Sequence, residues 1–572
     1  MSIIMMVEIT RNNFEEKYPE IEGRLRSAVF VAVDTEFTGL LSDPAFKPSL
    51  FDTGSERYGK LRRSTEHFLI MQVGITAFRF IEDKNKYKAS KYTFYVFPRS
   101  FASIDNIFMC QSSSLEFLCQ NHFDFNKFVY DGVPYLNQKE EAHLRKELSK
   151  GSLFHQLDRT VDLDDEKSIQ LVCSRVAKWA ASAVQGDTLD LNNLDICQGD
   201  IRLSYVMHKE LRQRFPDIWS FPEGGLIRVK KISHMQRKAL EENEEQHKTL
   251  EETVMHSLLG FSRLFKLLTE LKKPIVGHNI LLDLMIMYNQ FHEQLPTRLN
   301  DFKEEIHRLF PVIYDTKFLS FQMRKILIKE DMWNSNILSH LYCFFKEGRG
   351  RYLVLYSPII ELEDGAEICN PKETASNVSE QSQDLNVKFH EAGWDSYCTG
   401  YCFIRMAHIF AHVTCGSLVF GRILTSREHL LGVSSKKNCV NVIRANISHM
   451  CLDGPDPPSD RPNWLHVQAK GFRTIDVSKV AELFARYGSV DVKPFTRFRA
   501  LVAVGNHGSA KDIVRQFQKH KELRVSYYHP LWHSSVFQTF LGTGAVVSCG
   551  MCAYFLYRQF SNIQTPSARS VP

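Results

Sequence analysis

The run AVFVAV over residues 28–33 leads straight into DTEF, so an unbroken apolar, partly β-branched stretch delivers two carboxylates, Asp34 and Glu36. Six consecutive apolar residues predict a buried strand. Alternate side chains of a strand share a face, so this spacing puts both acids on one side of the sheet as the strand ends. Two carboxylates held together repel, and the economical remedy at neutral pH is a hard divalent cation bound through oxygen, magnesium being the natural choice. Acids at strand ends are common without function. The Thr38-Gly39-Leu40 that follows makes coincidence a poorer explanation here.

Around that strand the pattern is α/β. Strands are predicted over 68–78 (FLIMQVGITAF) and 92–98 (YTFYVFP), with helical patterns later, which makes a mixed sheet. A chain of 572 residues needs several domains. The main domain is expected in two parts, 1–158 and 247–430. A small inserted helical or α+β domain with the charged run EENEEQHK fills 159–246, and residues 361–384, acidic and without aromatics, are expected to form a flexible loop. Over 460–530, WLHVQAKG, VSKVAELFARYG and RFRALVAV read strand, helix, strand, the opening of an RNA-recognition-motif-like α+β module.

Residues 534–557 carry no charge, and at about 1.5 Å per residue they are long enough to cross about 30 Å of hydrocarbon, so a C-terminal transmembrane helix is expected, closed by Arg558 and a short tail, 558–572. The folded domains would then stay in the cytosol. A net charge of +5 is small for this length, so attraction to nucleic acid has to come from local clusters. The 13 scattered cysteines, with no secretory signal, read as reduced thiols. Only Cys549 and Cys552 have metal-like spacing, and they lack partners for a zinc site.

Two more strings complete a pattern. In GHNILLDL, Asn279 and Asp283 are four apart, on one side of a predicted helix that follows a strand-to-helix turn at Pro274 and Gly277. In HEAGWDSYCTG, His390 precedes Asp395 by five residues and an apolar helix continues to Phe410. Alone, a lone Asp on a helix is usually solvated and a lone His usually structural. In this order the pieces suit one shared metal cleft in which His390 takes a proton from water. Arg57, Lys60, Arg62 and Arg63 form a basic cluster suited to RNA phosphates, or merely a solvated face.

Together these strings resemble the DEDDh exonuclease superfamily. Through DTEFTGL, RYGKLRRST, CQSSSLEFL, FDFNK, PYLNQ, GFSRL, GHNILLDL, YDTK and HEAGWDSYCTG the chain is still more similar to the poly(A)-specific ribonuclease (PARN) family, to about Phe420 and more weakly to about Tyr528. The resemblance implies a ribonuclease H-like DEDD exonuclease fold and a 3′→5′ exoribonuclease that releases 5′-mononucleotides from single-stranded RNA with two Mg2+ ions. On the family pattern Asp34 bridges both ions, Glu36 and Asp395 complete the nucleophile-side site, Asp283 holds the second ion largely through water, and His390 is the general base. Phe37 and Leu40 are expected at the terminal nucleotide, with Asn279 a further RNA contact.

The added apolar segment points to a membrane-anchored, PARN-like branch of the family, which implies trimming of piRNA precursors bound to PIWI proteins, a Tudor-domain adaptor, a homodimer, and the mitochondrial outer membrane ahead of the endoplasmic reticulum. The alternatives are a poly(A) deadenylase of mRNA and a catalytically silent membrane adaptor. Departures from the pattern matter. Arg499, Leu501 and Val504 stand where the RNA-recognition motif wants aromatics, with Phe498 out of register; no Trp lies near Lys493-Pro494 for cap stacking; and Ser204 precedes His208 where the insert would need an Arg.

Overall fold

In the computed structural model of the chain, residues 8–101, 103–149, 163–192, 197, 201–223, 226–247, 249–326, 335–347, 349–363, 389–416, 421–471, 473–533 and 547–558 are described. The chain divides into two units, the first Met1–Pro48, Thr53–Ile443 and Ile447–Pro458, the second Ser49–Asp52, Arg444–Asn446 and Ser459–Pro572.

The first unit opens with β1 (Glu8–Ile9), β2 (Phe30–Phe37), β3 (Ile70–Ile81) and β4 (Lys86–Tyr95). A three-stranded antiparallel sheet follows, β5 (Thr188–Asn192), β6 (Ile218–Glu223) and β7 (Leu226–Lys231), in the order β5-β7-β6. It shares an apolar cluster with helices Leu163–Ser182 and Ile201–Arg214. His208 is a core residue there: its Nδ1 meets Ser220 Oγ at 2.9 Å and burial pushes its pKa down to about 3. Next come β8 (Ile275–Gly277), β9 (Ile313–Asp315), β10 (Ile359–Leu362) and the ribbon β11 (Cys439–Asn441) with β12 (His449–Cys451).

The main sheet has seven strands in the order β1-β4-β3-β2-β8-β9, with β10 also on β4. The pairs β2/β3 and β3/β4 are antiparallel and β2/β8 and β8/β9 parallel, so the sheet is mixed, as the sequence implied. β2 has neighbours on both edges, which is why Phe30–Val33 are all nearly inaccessible. Helix Ala392–Cys415 covers one face. Phe30 stacks on Phe78 at 4.7 Å and meets the edge of Phe403 at 4.9 Å, each such ring worth about 1.5–3 kcal/mol when fully buried.

The second unit holds β13 (Leu465–Ala469), β14 (Val490–Thr496), β15 (Arg499–Val504) and β16 (Leu523–Tyr527), in the antiparallel order β14-β15-β13-β16, with helices Val477–Ala485 and His507–Phe517. Leu501 and Val504 are buried, at 3% and 2% exposure.

β2 continues one residue past Glu36 to Phe37, with a register shift against β3 between the two, so the acids ride on its last four residues as expected. Two expectations need correction. Residues 361–362, expected in a flexible loop, lie in β10, and Glu363 just after it is tied to Arg24 and Arg79; residues 364–384 lie outside the described residues.

The second is the membrane helix over 534–557 and the membrane location built on it. Among the described residues no helix is long and apolar enough to cross a membrane. Residues 534–546 lie outside the described part.

Candidate active site

The middle of β2 is where buried sheet and charge meet. Asp34 pairs with Gly74 and Glu36 with Gln72 across the β2/β3 ladder. Helix Ala392–Cys415 starts directly above this point because Gly74 has no side chain: a Cβ there would stand 1.8 Å from the Ala392 carbonyl oxygen. The Ala392 N–H donates to Gln72 Oε1 at 2.9 Å, which fixes the start of the helix to the strand that faces Glu36.

Glu391 caps this helix. Its carboxylate accepts from the N–H groups of Gly393 and Trp394 at 3.1 and 2.9 Å and from the Thr93 hydroxyl, and Lys91 lies 3.9 Å away. Asp395 falls in the first turn, where the free N–H groups of a helix favour a negative charge. Carboxylate oxygens of Asp34, Glu36 and Asp395 all lie within 4.8 Å of one another.

Asp283 enters from a second side. Helix Leu281–Phe291 leaves β8, which runs parallel to β2, and Asp283 Oδ1 accepts from the Thr35 hydroxyl at 2.5 Å. It is not part of the trio within 4.8 Å, yet its charge is felt by both Asp34 and Glu36. Asn279 is not on that helix. It adopts φ 64°, a left-handed conformation that Asn tolerates better than most residues. There its N–H donates to Asp315 Oδ1 at 2.9 Å and its Oδ1 accepts from Asn441 Nδ2 at 2.7 Å. The four-residue spacing therefore describes a turn before a helix and not one helical face.

None of the four acids forms an ion pair with a basic side chain among the described residues. Burial pushes Asp34 and Glu36 well above the usual carboxylate range, and the charges of Asp395, Asp283 and Glu391 add to the effect. Burial likewise raises Asp283 to about 7, against the Thr35 hydroxyl, and Asp395 to about 8. Asp395 Oδ2 accepts from the His390 N–H at 3.0 Å, while its Oδ1 is buried with no hydrogen-bond partner. Crowded, desolvated carboxylates with an orphaned oxygen are the donor set that a hard divalent cation fits.

His390 is exposed beside this group, with φ 71°, its ring edge-on to Phe117 at 4.7 Å; partial desolvation holds its pKa below the ordinary value. Phe117 comes from helix Ser112–Gln120, and Gln111 just before it accepts through Oε1 from the N–H groups of Leu40 and Leu41 at 3.0 and 3.1 Å. Leu40 is 50% exposed and Phe37 half-buried, so both can be reached from solvent.

The basic cluster is split by helix Gly54–Thr65. Arg57, expected among surface cations, is buried, its Nε donating to the Ile443 carbonyl at 3.2 Å. Lys60 bonds the Lys47 carbonyl, Arg62 is half-buried, and Arg63 is exposed with its guanidinium over Phe46 at 4.8 Å. The residues that the motifs did not single out are Gly74, Gln111, Phe117, Asp315 and Glu391. Gln111, Phe117, Asp315 and Glu391 lie inside the strings CQSSSLEFL, YDTK and HEAGWDSYCTG, and for Gly74 the signal was a Gly inside an apolar strand, which marks close backbone approach.

The sequence matches the CAF1 family ribonuclease pattern over residues 9–403. It is 36% identical over 562 residues to the pre-piRNA 3′-exonuclease trimmer of Bombyx mori, covering 97% of this chain and 100% of that one. It is 30% identical to the mouse poly(A)-specific ribonuclease PNLDC1, over 96% of this chain and 99% of that one, and 29% identical to the human poly(A)-specific ribonuclease PARN, over 91% and 80%. With a pattern match across most of its length, and relatives aligned nearly end to end, this chain belongs to the CAF1 family of ribonucleases, in the group that contains PARN, PNLDC1 and the silkworm trimmer.

Proposed function

We propose that this protein is a magnesium-dependent 3′→5′ exoribonuclease that trims the 3′ ends of piRNA precursors. The observation that carries the chemistry is the convergence of Asp34, Glu36 and Asp395 within 4.8 Å, with a buried Asp395 oxygen lacking any partner. The substrate rests on the 36% identity to a protein named as a pre-piRNA 3′-exonuclease.

Asp34, Glu36 and Asp395 would hold Mg2+ directly, with Asp283 held beside them by Thr35. A bound divalent ion supplies Lewis-acid activation of water and neutralises charge on the scissile phosphate, and two such ions suit the four-acid set. His390, exposed and favoured in its neutral form, accepts the proton of the attacking water. Phe37 and Leu40 flank the terminal nucleotide, Asn279 holds the turn before Asp283, and Lys60, Arg62 and Arg63 lie along the phosphates while Arg57 anchors their helix. A free 3′-OH and release of 5′-mononucleotides complete this reading. Presentation of the RNA by a PIWI protein, a Tudor-domain adaptor and a homodimer belong to the same reading, as do the sequence-based domain limits.

A deadenylase is the second reading, favoured by the name poly(A)-specific ribonuclease that the mouse and human relatives carry. The test is 5′-labelled single-stranded RNA with magnesium, in oligo(A) and mixed-sequence forms. A ladder on both supports the trimmer, and a ladder on oligo(A) alone supports the deadenylase. RNA retained without shortening would show a silent adaptor and sink both.

A further inference from the structure

Away from the acids, Cys439, His449 and Cys451 gather on the ribbon β11/β12. Cys439 and Cys451 are direct cross-strand partners, and His449 pairs with Asn441. One ligand atom from each of the three lies within 4.8 Å of the other two. The two sulfurs are 3.8 Å apart. Zinc–sulfur bonds of about 2.3 Å at a tetrahedral angle set two thiolates about 3.8 Å apart, so an ion can enter with little movement of either side chain. All three residues are half-buried, which leaves a path for the ion.

The electrostatics agree. The neighbouring Cys439 thiol and His449 push the Cys451 thiol down, while the same pairing pushes Cys439 up. Asp453 and Asp456 add negative charge near the sulfurs, but each is engaged elsewhere, with Asn438 at 2.9 Å and Lys303 at 2.6 Å. Two thiolates and an imidazole select a soft or borderline metal over magnesium.

We propose that Cys439, His449 and Cys451 bind one zinc ion that clamps the β11/β12 ribbon, with solvent in the fourth position. The ribbon has work to do beyond itself. At the end of β11, opposite His449, Asn441 donates its N–H to Asp315 Oδ2 at 2.8 Å and its side-chain amide to Asn279 Oδ1. These are the bonds that hold the turn leading to Asp283. The zinc is therefore a positioning device for the nuclease cleft, built from soft ligands beside a site built from hard ones, and it stands whether or not the RNA substrate has been named correctly.

The full chain, expressed without a metal-affinity tag, purified with reductant and dialysed against metal-free buffer, is expected to retain about one zinc by mass spectrometry. C451S and C439S should lose most of it. D34A and the double variant C549S/C552S should keep it, which separates this site from the acids and from the other cysteine pair. Exchange for cobalt should give a thiolate-to-cobalt charge-transfer band, read on the wild-type chain and so independent of whether the serine variants fold. A zinc-free wild type, a cobalt spectrum without that band, zinc retained by C439S, or a Cys439–Cys451 disulfide in zinc-free protein overturns the proposal.

Discussion

In the seven-stranded sheet, β2 carries Asp34 and Glu36 among side chains that are almost wholly buried, and Asp395 and Asp283 approach them without a basic residue to balance the charge. In the four-stranded sheet of the second unit, charge is answered where it occurs. Asp476 caps helix Val477–Ala485 by accepting from Ser478 and Lys479, Asp491 pairs with Arg444 at 2.9 Å, and Glu522 with Arg473 at 2.7 Å. Both sheets bury an apolar face. Only the first carries a cost in electrostatics that packing does not relieve, and such a cost is characteristic of a site that binds something.

The sharpest way to break that comparison is D34A. Removing one carboxylate from the trio should slow RNA shortening on the order of 10³-fold, while the metal-free melting temperature stays level or rises because repulsion is relieved. A normal trimming rate would make the crowded acids a structural accident. G74A comes next. Its Cβ would collide with the Ala392 carbonyl, so urea unfolding should show a loss of about 3 kcal/mol or more, as overpacking does, together with loss of trimming as Asp395 is displaced. G59A is the control, with nothing within 4 Å of its Cβ.

Acidity sharpens the contrast further. Asp283 and Asp395 have folded pKa values of about 7 and 8, above the 3.8 of an ordinary carboxyl. Between those limits these two groups bind more protons in the metal-free fold than in the unfolded chain, so their contribution to stability is fully present below about pH 4 and is lost as pH rises to about 8. Melting curves without metal should follow this slope as far as these two groups dominate, and saturating Mg2+ or Mn2+ should raise the melting temperature most at pH 8 and flatten the slope. The smallest effect is expected in the other sheet. R473A removes an exposed pair, 74% and 48% accessible, and should change stability by under about 1 kcal/mol with trimming untouched.

Much of the cleft was legible beforehand because its parts obey local rules. Strand alternation put Asp34 and Glu36 on one face, and a carboxylate oxygen of each lies within 4.8 Å of one from Asp395. Where the local rule was wrong, a longer-range contact decided. Asn279 looked helical by spacing, but Asp315 and Asn441 hold it in a left-handed turn. Arg57 looked like a surface cation, but Ile443, far along the chain, claims its Nε. The apolar stretch near the C-terminus met the length rule for a span, yet among the described residues no helix is long and apolar enough to cross a membrane.

What the sequence determined by itself was the kind of chemistry: which strand is buried, which carboxylates ride on it, and which family the motifs resemble. The first two follow from the apolar run and the two-residue periodicity of a strand, and the resemblance rests on the motif strings themselves. The tertiary structure alone decided which groups are neighbours. It set Gly74 beneath Ala392, Glu391 at the head of the helix bearing Asp395, and Cys439 across from Cys451, since contacts between residues distant in sequence depend on sheet register and helix placement, and no local pattern encodes those.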